Sequence, residues 1–294
     1  MPFARTILAV ALSAMAIAGC ARHPLLQSAN RAAEENDVPL LAFTGSDIAG
    51  ARRIAGPYFG DRRTALTGRT IVVDDIEDIA LQDHEVVLTF DDGPMPGKTP
   101  KILDALDAHG VKATFLMVGE MARYHPDLVR QVAAHGHTIG THTEHHANLA
   151  AMSLERSMQE IEQGRKSVAA ALVPLRAQPA PFFRFPYLAD TPALRRTLAA
   201  KGVVVIDPDI DSKDYFVSSP AAVKERALAR LEAKGRGVIL MHDIHQRTAA
   251  MLPAFLDALQ ARGYKVVTLV PGAPLDPRRL LLSARRSGSE AAGS

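Results

Sequence analysis

The sequence predicts an α/β fold in which parallel strands are covered by helices and close into a compact (β/α) barrel; an open doubly wound sheet is the alternative. Three observations carry this expectation. Short β-type runs alternate with segments of helical pattern from about residue 85 to residue 269, and such alternation implies a parallel sheet. Glycines stand just past several helical segments, at Gly110, Gly136, Gly202, Gly235 and Gly263, where the C′ position of a helix favours a residue free to take positive φ. Seven strands fit within that stretch, which suits a small barrel.

The elements follow in order. Strands are expected at 85–90, 112–118 and 137–141, separated by helices at 99–109 and 126–135. The long helical pattern 154–172 leads to a strand at 181–185, and the helix 192–201 to a strand at 203–207. Helix 221–234, strand 238–241, helix 249–262 and strand 265–269 complete the series. No internal repeat beyond the βα unit is visible.

The two ends read differently. Residues 1–19 form a targeting segment: Arg5 supplies a positive start, and 7–18 is an apolar run too short to cross a bilayer as a helix. It closes on Ile17-Ala18-Gly19-Cys20, which resembles the lipobox of bacterial lipoproteins, so Cys20 is the expected lipidation site and the mature protein is expected on a membrane surface. An ordinary signal peptide cut nearby is the alternative, and export follows from either. Residues 20–82 read as a tether and irregular N-terminal extension with a strand such as 69–74, residues 83–271 as the α/β domain, and 272–294 as a disordered tail.

Composition narrows the function classes. The chain has 294 residues, 47% of them hydrophobic, enough for a sizeable core. Lys+Arg 34 against Asp+Glu 32 gives a formal net charge of +2, which is no footprint for nucleic acid. The basic pairs at 52–53, 62–63, 278–279 and 285–286 read as solvated surface. Cys20 is the only cysteine, so an intrachain disulfide or a cysteine metal cluster is excluded.

Five motifs sit at expected strand ends, the face on which parallel α/β folds build their sites. Thr89-Phe90-Asp91-Asp92-Gly93-Pro94 closes the first strand. Adjacent acids cannot share one strand face, but in the turn that Gly93 and Pro94 supply both can reach one cavity. His142-Thr143-Glu144-His145-His146 follows the third strand. If that segment is helical, His142 and His146 stand at i and i+4, the spacing of paired metal ligands, with His145 directed elsewhere. Two imidazoles plus one carboxylate suit a divalent transition metal with a position left for water. A zincin reading fails, because Thr143 stands where His-Glu-x-x-His needs glutamate.

Arg184, within Phe183-Arg184-Phe185-Pro186-Tyr187, is an arginine among apolar residues and is expected to pair with a buried carboxylate. The acidic run 207–215 resembles a calcium loop only superficially, with Ser212 and Ser218 where glycine and glutamate are required. Leu240-Met241-His242-Asp243 ends the sixth strand on a histidine able to serve as acid or base. A phosphate-loop reading of 93–99 is one residue short and loses backbone donors to two prolines.

Taken together these residues make the chain from about 85 to 269 similar to the polysaccharide deacetylase family, the NodB-like carbohydrate esterases of family 4. Its Thr-Phe-Asp-Asp-Gly-Pro hallmark is intact at 89–94 and its His-Thr/Ser-x-x-His pattern is met at 142–146. The resemblance implies a distorted (β/α)7 barrel and one divalent metal, usually zinc with cobalt or manganese as alternatives, held by Asp92, His142 and His146. It implies Asp91 as general base paired with Arg184, and His242 as general acid oriented by Asp214. It further implies the Tyr187 N–H at the oxyanion, Leu240 at the acetyl methyl group, and an N-acetylglucosamine-containing glycan as partner. Leu188 departs from the usual glycine, Tyr215 on the groove wall from the usual tryptophan, and Thr141 from the usual Asn or Ser. These departures put substrate preference in doubt more than activity. A glycan-binding lipoprotein without turnover and an O-acetyl esterase are the competing readings, while a two-carboxylate glycosidase leaves the histidine pair unexplained.

Overall fold

The computed structural model describes residues 65–272; the expected signal segment, Cys20, most of the tether and the tail beyond 272 lie outside the described residues. The ladder of the sheet begins earlier than the boundary expected at 83. Strand β1 (Thr67–Val73) runs parallel to the last strand, β9 (Lys265–Pro271), with Ile71 opposite Leu269. It reads as an isolated extension in sequence because its partner lies at the far end of the chain.

The strands β2 (Glu85–Asp91), β3 (Thr114–Met117), β4 (Thr138–Thr141), β5 (Phe182–Phe183) and β6 (Val204–Val205) pair in order, all parallel. On the other flank of β2 lies β8 (Gly237–His242), which in turn pairs β7 (Ile210–Asp211). Strands β2 to β8 thus form a ring of seven in which no ladder joins β6 to β7, a distorted barrel. Strand β9 pairs with β2 only at its first two residues. The expected seventh strand at 265–269 is therefore outside the ring, and β7, hidden in the acidic run 207–215, takes its place.

Helices cover the ring: α1 (Thr99–Ala108), α2 (Gly119–Tyr124), α3 (Pro126–Ala134), α4 (Leu154–Leu172), α5 (Pro192–Ala199), α6 (Pro220–Lys234) and α7 (Gln246–Ala261). Side-chain caps start several of them. The Ser153, Thr191 and Ser219 hydroxyls accept from the N–H of Arg156, Leu194 and Ala222, satisfying donors that the first turn leaves free. Gly235 closes α6 at φ 77°, a conformation that costs other residues more. Helix α2 has no counterpart among the expected elements, since six residues are too few for a helical period to show.

Strand alternation sorts the side chains into two layers. Val86, Leu88, Phe90, Phe115, Met117, Ile239 and Met241 face the helices in one core cluster. Val87, Leu116, Phe182, Val204, Ile206 and Val238 fill the ring interior, joined by Ile71, Val73, Val267 and Leu269 from β1 and β9. Gly140 is required there: a Cβ would approach the Leu116 side chain and the Phe182 carbonyl to 2.6 Å.

Candidate active site

The same alternation continues past the apolar plug. Along β2 the interior positions after Val87 are Thr89 and Asp91; along β8, Leu240 and His242 follow Val238. Asp91 lies opposite His242 in the parallel ladder, so an acid and a histidine stand on adjacent strands about 4.8 Å apart.

Asp91 is buried, and burial pushes its carboxyl above the ordinary value while Arg184 and His242 pull it back. The fully buried Arg184 donates from Nη1 to Asp91 Oδ1 at 2.7 Å and to Thr89 Oγ1 at 2.8 Å, and from Nε to the Ile206 carbonyl at 2.8 Å. That guanidinium ties the end of β2 to the segment following β6, where no ladder joins the ring.

Asp92 leaves the strand at φ 77°, which lets its carboxylate enter the same cavity as that of Asp91. Its Oδ1 lies 3.5 Å from His142 Nε2 and 3.3 Å from His146 Nε2, and is buried without a hydrogen-bond partner. His142 Nδ1 meets the Arg184 carbonyl at 2.8 Å. A carbonyl only accepts, so Nδ1 carries the proton and the Nε2 lone pair faces Asp92. Burial drives His142 down to about 3, which keeps the ring neutral.

Ligand atoms of these three residues all lie within 4.8 Å of one another. Two ligands about 2.0–2.1 Å from a small tetrahedral cation stand about 3.3 Å apart, close to the separations seen here. The orphaned carboxylate oxygen, the fixed imidazole tautomer and the spacing together fit a divalent metal.

The helix expected at 142–146 is absent. Thr143 and His146 take φ 65° and 55°, so the segment is an irregular loop. It is held by backbone bonds from Gly119 to the Thr143 carbonyl and from Glu120 to the Glu144 carbonyl, with Glu144 N–H bound to the Glu160 carbonyl. Tertiary contacts therefore bring the two imidazoles together, with ring centroids 5.0 Å apart. His145 faces away and meets Glu160 at 2.9 Å.

His242 Nδ1 lies 2.7 Å from Asp214 Oδ1, and its backbone N–H donates to Asp214 Oδ2 at 2.8 Å. Thr248 Oγ1 donates to that same oxygen at 2.6 Å. Burial alone would lower His242, but the hydrogen bond and charge of Asp214 outweigh it and raise the imidazole to about 9. Burial opposes the charge on Asp214 too, and its hydrogen bonds from His242 and Thr248 hold it below the ordinary carboxylate value.

A cavity of about 390 Å³ brings together Asp91, Asp92, His142, His146, His242 and Leu240, walled by Tyr187, Leu188 and Tyr215. Tyr187 stands at φ 60° in the 3-10 turn Pro186–Leu188, and its ring packs edge-on to His146 at 4.6 Å. The Tyr215 hydroxyl donates to Asp211 Oδ2 at 2.8 Å while its ring stands edge-on to His242 at 5.6 Å.

Sequence reasoning did not single out three residues that bear on this site. Asp211 also lines the cavity; its place in the acidic run was the available signal. Asp243 is buried, raised by that burial to about 7, and bound to Thr99. Glu144 is buried on Arg123 with one carboxylate oxygen left unpartnered; nothing local marks either role.

Comparison with known proteins gives concordant matches. The sequence model described as polysaccharide deacetylase matches residues 78–206. A chitooligosaccharide deacetylase of Rhizobium leguminosarum bv. trifolii is 31% identical over 201 residues, covering 64% of this chain and 91% of that protein. The peptidoglycan-N-acetylglucosamine deacetylase PgdA of Listeria monocytogenes is 32% identical over 192 residues, or 65% of this chain, and the match spans 39% of its length. Among solved structures, a Bdellovibrio bacteriovorus peptidoglycan deacetylase aligns with a TM-score of 0.62 and 34% identity, covering 71% of this chain and 57% of that one.

Proposed function

Because this chain belongs to the polysaccharide deacetylase family, we propose that it hydrolyses N-acetyl groups on an N-acetylglucosamine-containing glycan and releases acetate. The observation that carries this reading is one cavity in which the Asp92–His142–His146 donor set lies between two polar pairs, Asp91 with Arg184 and His242 with Asp214.

Asp92, His142 and His146 would hold a divalent metal, for which we propose zinc, with cobalt or manganese as substitutes. Such an ion supplies Lewis-acid polarisation of the acyl oxygen and acidifies water. Asp91 accepts the proton of the attacking water at its carboxylate, and Arg184 keeps that carboxylate in place. The Tyr187 backbone N–H stabilises the developing oxyanion, and Leu240 receives the acetyl methyl group. His242, held protonated by Asp214, delivers its proton to the leaving nitrogen. That step makes amide cleavage feasible, because an amide nitrogen leaves poorly without protonation.

Relatives named for peptidoglycan, chitin and chitooligosaccharide deacetylation support the substrate class. The N-terminal segment adds export and a lipid anchor at Cys20 to the proposal, placing the enzyme on the cell envelope. No helix among the described residues is long and apolar enough to cross a membrane.

The test is acetate release from N-acetylglucosamine oligomers and from peptidoglycan, followed by mass spectrometry. Chelator is expected to abolish release and zinc or cobalt to restore it. Glycan binding with no acetate from any acetylated substrate in the presence of metal would instead establish a binding protein.

A further inference from the structure

Asp243 directly follows His242 but plays no part in the chemistry above. It is only 1% exposed, and its backbone N–H donates to the Asp91 carbonyl at 3.2 Å, extending the β2–β8 contact by one step. Its carboxylate Oδ2 accepts from the Thr99 hydroxyl at 2.6 Å. That hydroxyl in turn accepts from the Met95 N–H at 2.7 Å. A Cβ at position 93 would come within 2.1 Å of both carboxylate oxygens, so the carboxyl group lies flush against the Gly93 backbone.

Residues 91–95 are therefore gripped along their length: at the Asp91 carbonyl, across Gly93, and through Thr99 at Met95. From the opposite side, Val118 N–H donates to the Gly93 carbonyl at 3.2 Å. In the middle of this grip sits Asp92 at φ 77°, a conformation that a non-glycine residue keeps only where its surroundings over-determine it. Asp243 Oδ1 is buried without a well-aligned hydrogen bond, the Gly93 and Asp243 N–H groups beside the carboxyl offsetting its burial only in part. A carboxyl kept at that cost points to a demand beyond filling space.

We propose that Asp243 is a positioning residue that holds Asp92 in its left-handed conformation and thereby sets the metal affinity of the site. The inference rests on the metal-binding reading given above. Its side chain hydrogen-bonds to Thr99 rather than to a ligand side chain, and on this reading it does not meet the substrate. It acts through the shape of the turn, as supporting residues around metal sites do.

The test is zinc affinity by competition with a chromophoric chelator, on the purified full chain and its variants. D243A is expected to weaken zinc binding about 10- to 100-fold, with turnover largely recovered at saturating zinc. D243N keeps an acceptor for Thr99 and the bulk against Gly93, and is expected to stay within about threefold of the wild type. T99V cuts the link to Met95 without touching position 243 and is expected to weaken zinc in the same direction, less than additively with D243A. Unchanged affinity in a folded D243A would overturn the inference; if D243A fails to fold, unchanged affinity in T99V does so. Failure of the wild type to bind zinc or cobalt would overturn the reading of the site and this inference together.

Discussion

The two ends of the barrel interior are built from the same strands by the same alternation, yet they do opposite things. Toward the start of the strands the inward positions are Val87, Leu116, Phe182, Val204 and Val238, sealed by Val73 and Leu269 from β1 and β9. Toward the finish they are Asp91, Arg184 and His242, with Asp92 and the loop histidines beside them. The apolar end buries mostly hydrocarbon, with Thr114 Oγ1 and His137 Nε2 at the strand starts as its buried polar atoms without partners. The polar end holds buried atoms without partners, on Asp92, Arg184 and Asp243, each of which costs stability. The cavity proposed to take a cation and substrate is therefore mounted on a plug that supplies the stability it lacks.

The sharpest way to break this division is Asp91→Asn. Turnover is expected to fall about 10²- to 10⁴-fold with metal retained, measured as acetate release alongside metal content. The change also strands the Arg184 guanidinium, so it is expected to lower the melting temperature, making it the rim substitution that costs both. Full activity in this variant would remove Asp91 from the role of base.

At the plug, Phe182→Ala is expected to cost about 3–5 kcal/mol of unfolding free energy. Its turnover per folded molecule should stay within a few-fold of the wild type, with denaturant melts and active-site titration as the measurements. A large loss of turnover without a loss of stability would show that the two ends are not separable.

Asp214→Asn probes the rim through pH. Asp214 raises His242 to about 9, so without it the imidazole is expected to return toward its ordinary value near 6.5. The alkaline limb of the pH–rate profile then moves down, and activity at pH 8 falls on the order of ten- to a hundred-fold. The sign for stability is the same. The folded state holds the His242 proton more tightly than the unfolded chain does, so this contribution is complete below about 6.5 and is lost as the pH rises through about 9. An unmoved alkaline limb would assign that limb to another group.

The smallest effect is expected at His145→Ala. This residue adjoins His146 in sequence but is bound outward to Glu160, so stability should stay within about 0.5 kcal/mol and zinc affinity should not change. A tenfold loss of zinc would place His145 among the ligands and redraw the boundary of the rim.

Much of this was legible in local sequence because its causes are local. Strand alternation put Thr89 and Asp91, and Leu240 and His242, on one face, and the Asp-Asp-Gly-Pro turn let a second carboxylate join the first. Glycines marked helix ends, while the Asp214 partner of His242 came from the family resemblance rather than from the acidic run at 207–215 itself. The remaining features depend on residues far apart along the chain. Strand β1 acquires its role from β9, and β7 acquires its role from β8. The histidine loop takes its shape from α2 and α4: a Cβ at Gly164 would come 2.4 Å from the Thr143 carbonyl, so the loop rests on the helix rather than forming one. Asp243 and Thr99 meet across 144 residues of sequence, and no local pattern encodes that contact. Sequence alone singled out the side chains proposed for the chemistry and the end of the strands on which they stand. Tertiary structure decided the conformations at Asp92, Thr143 and His146, because positive φ at such residues persists only where packing from distant segments leaves the backbone no easier choice.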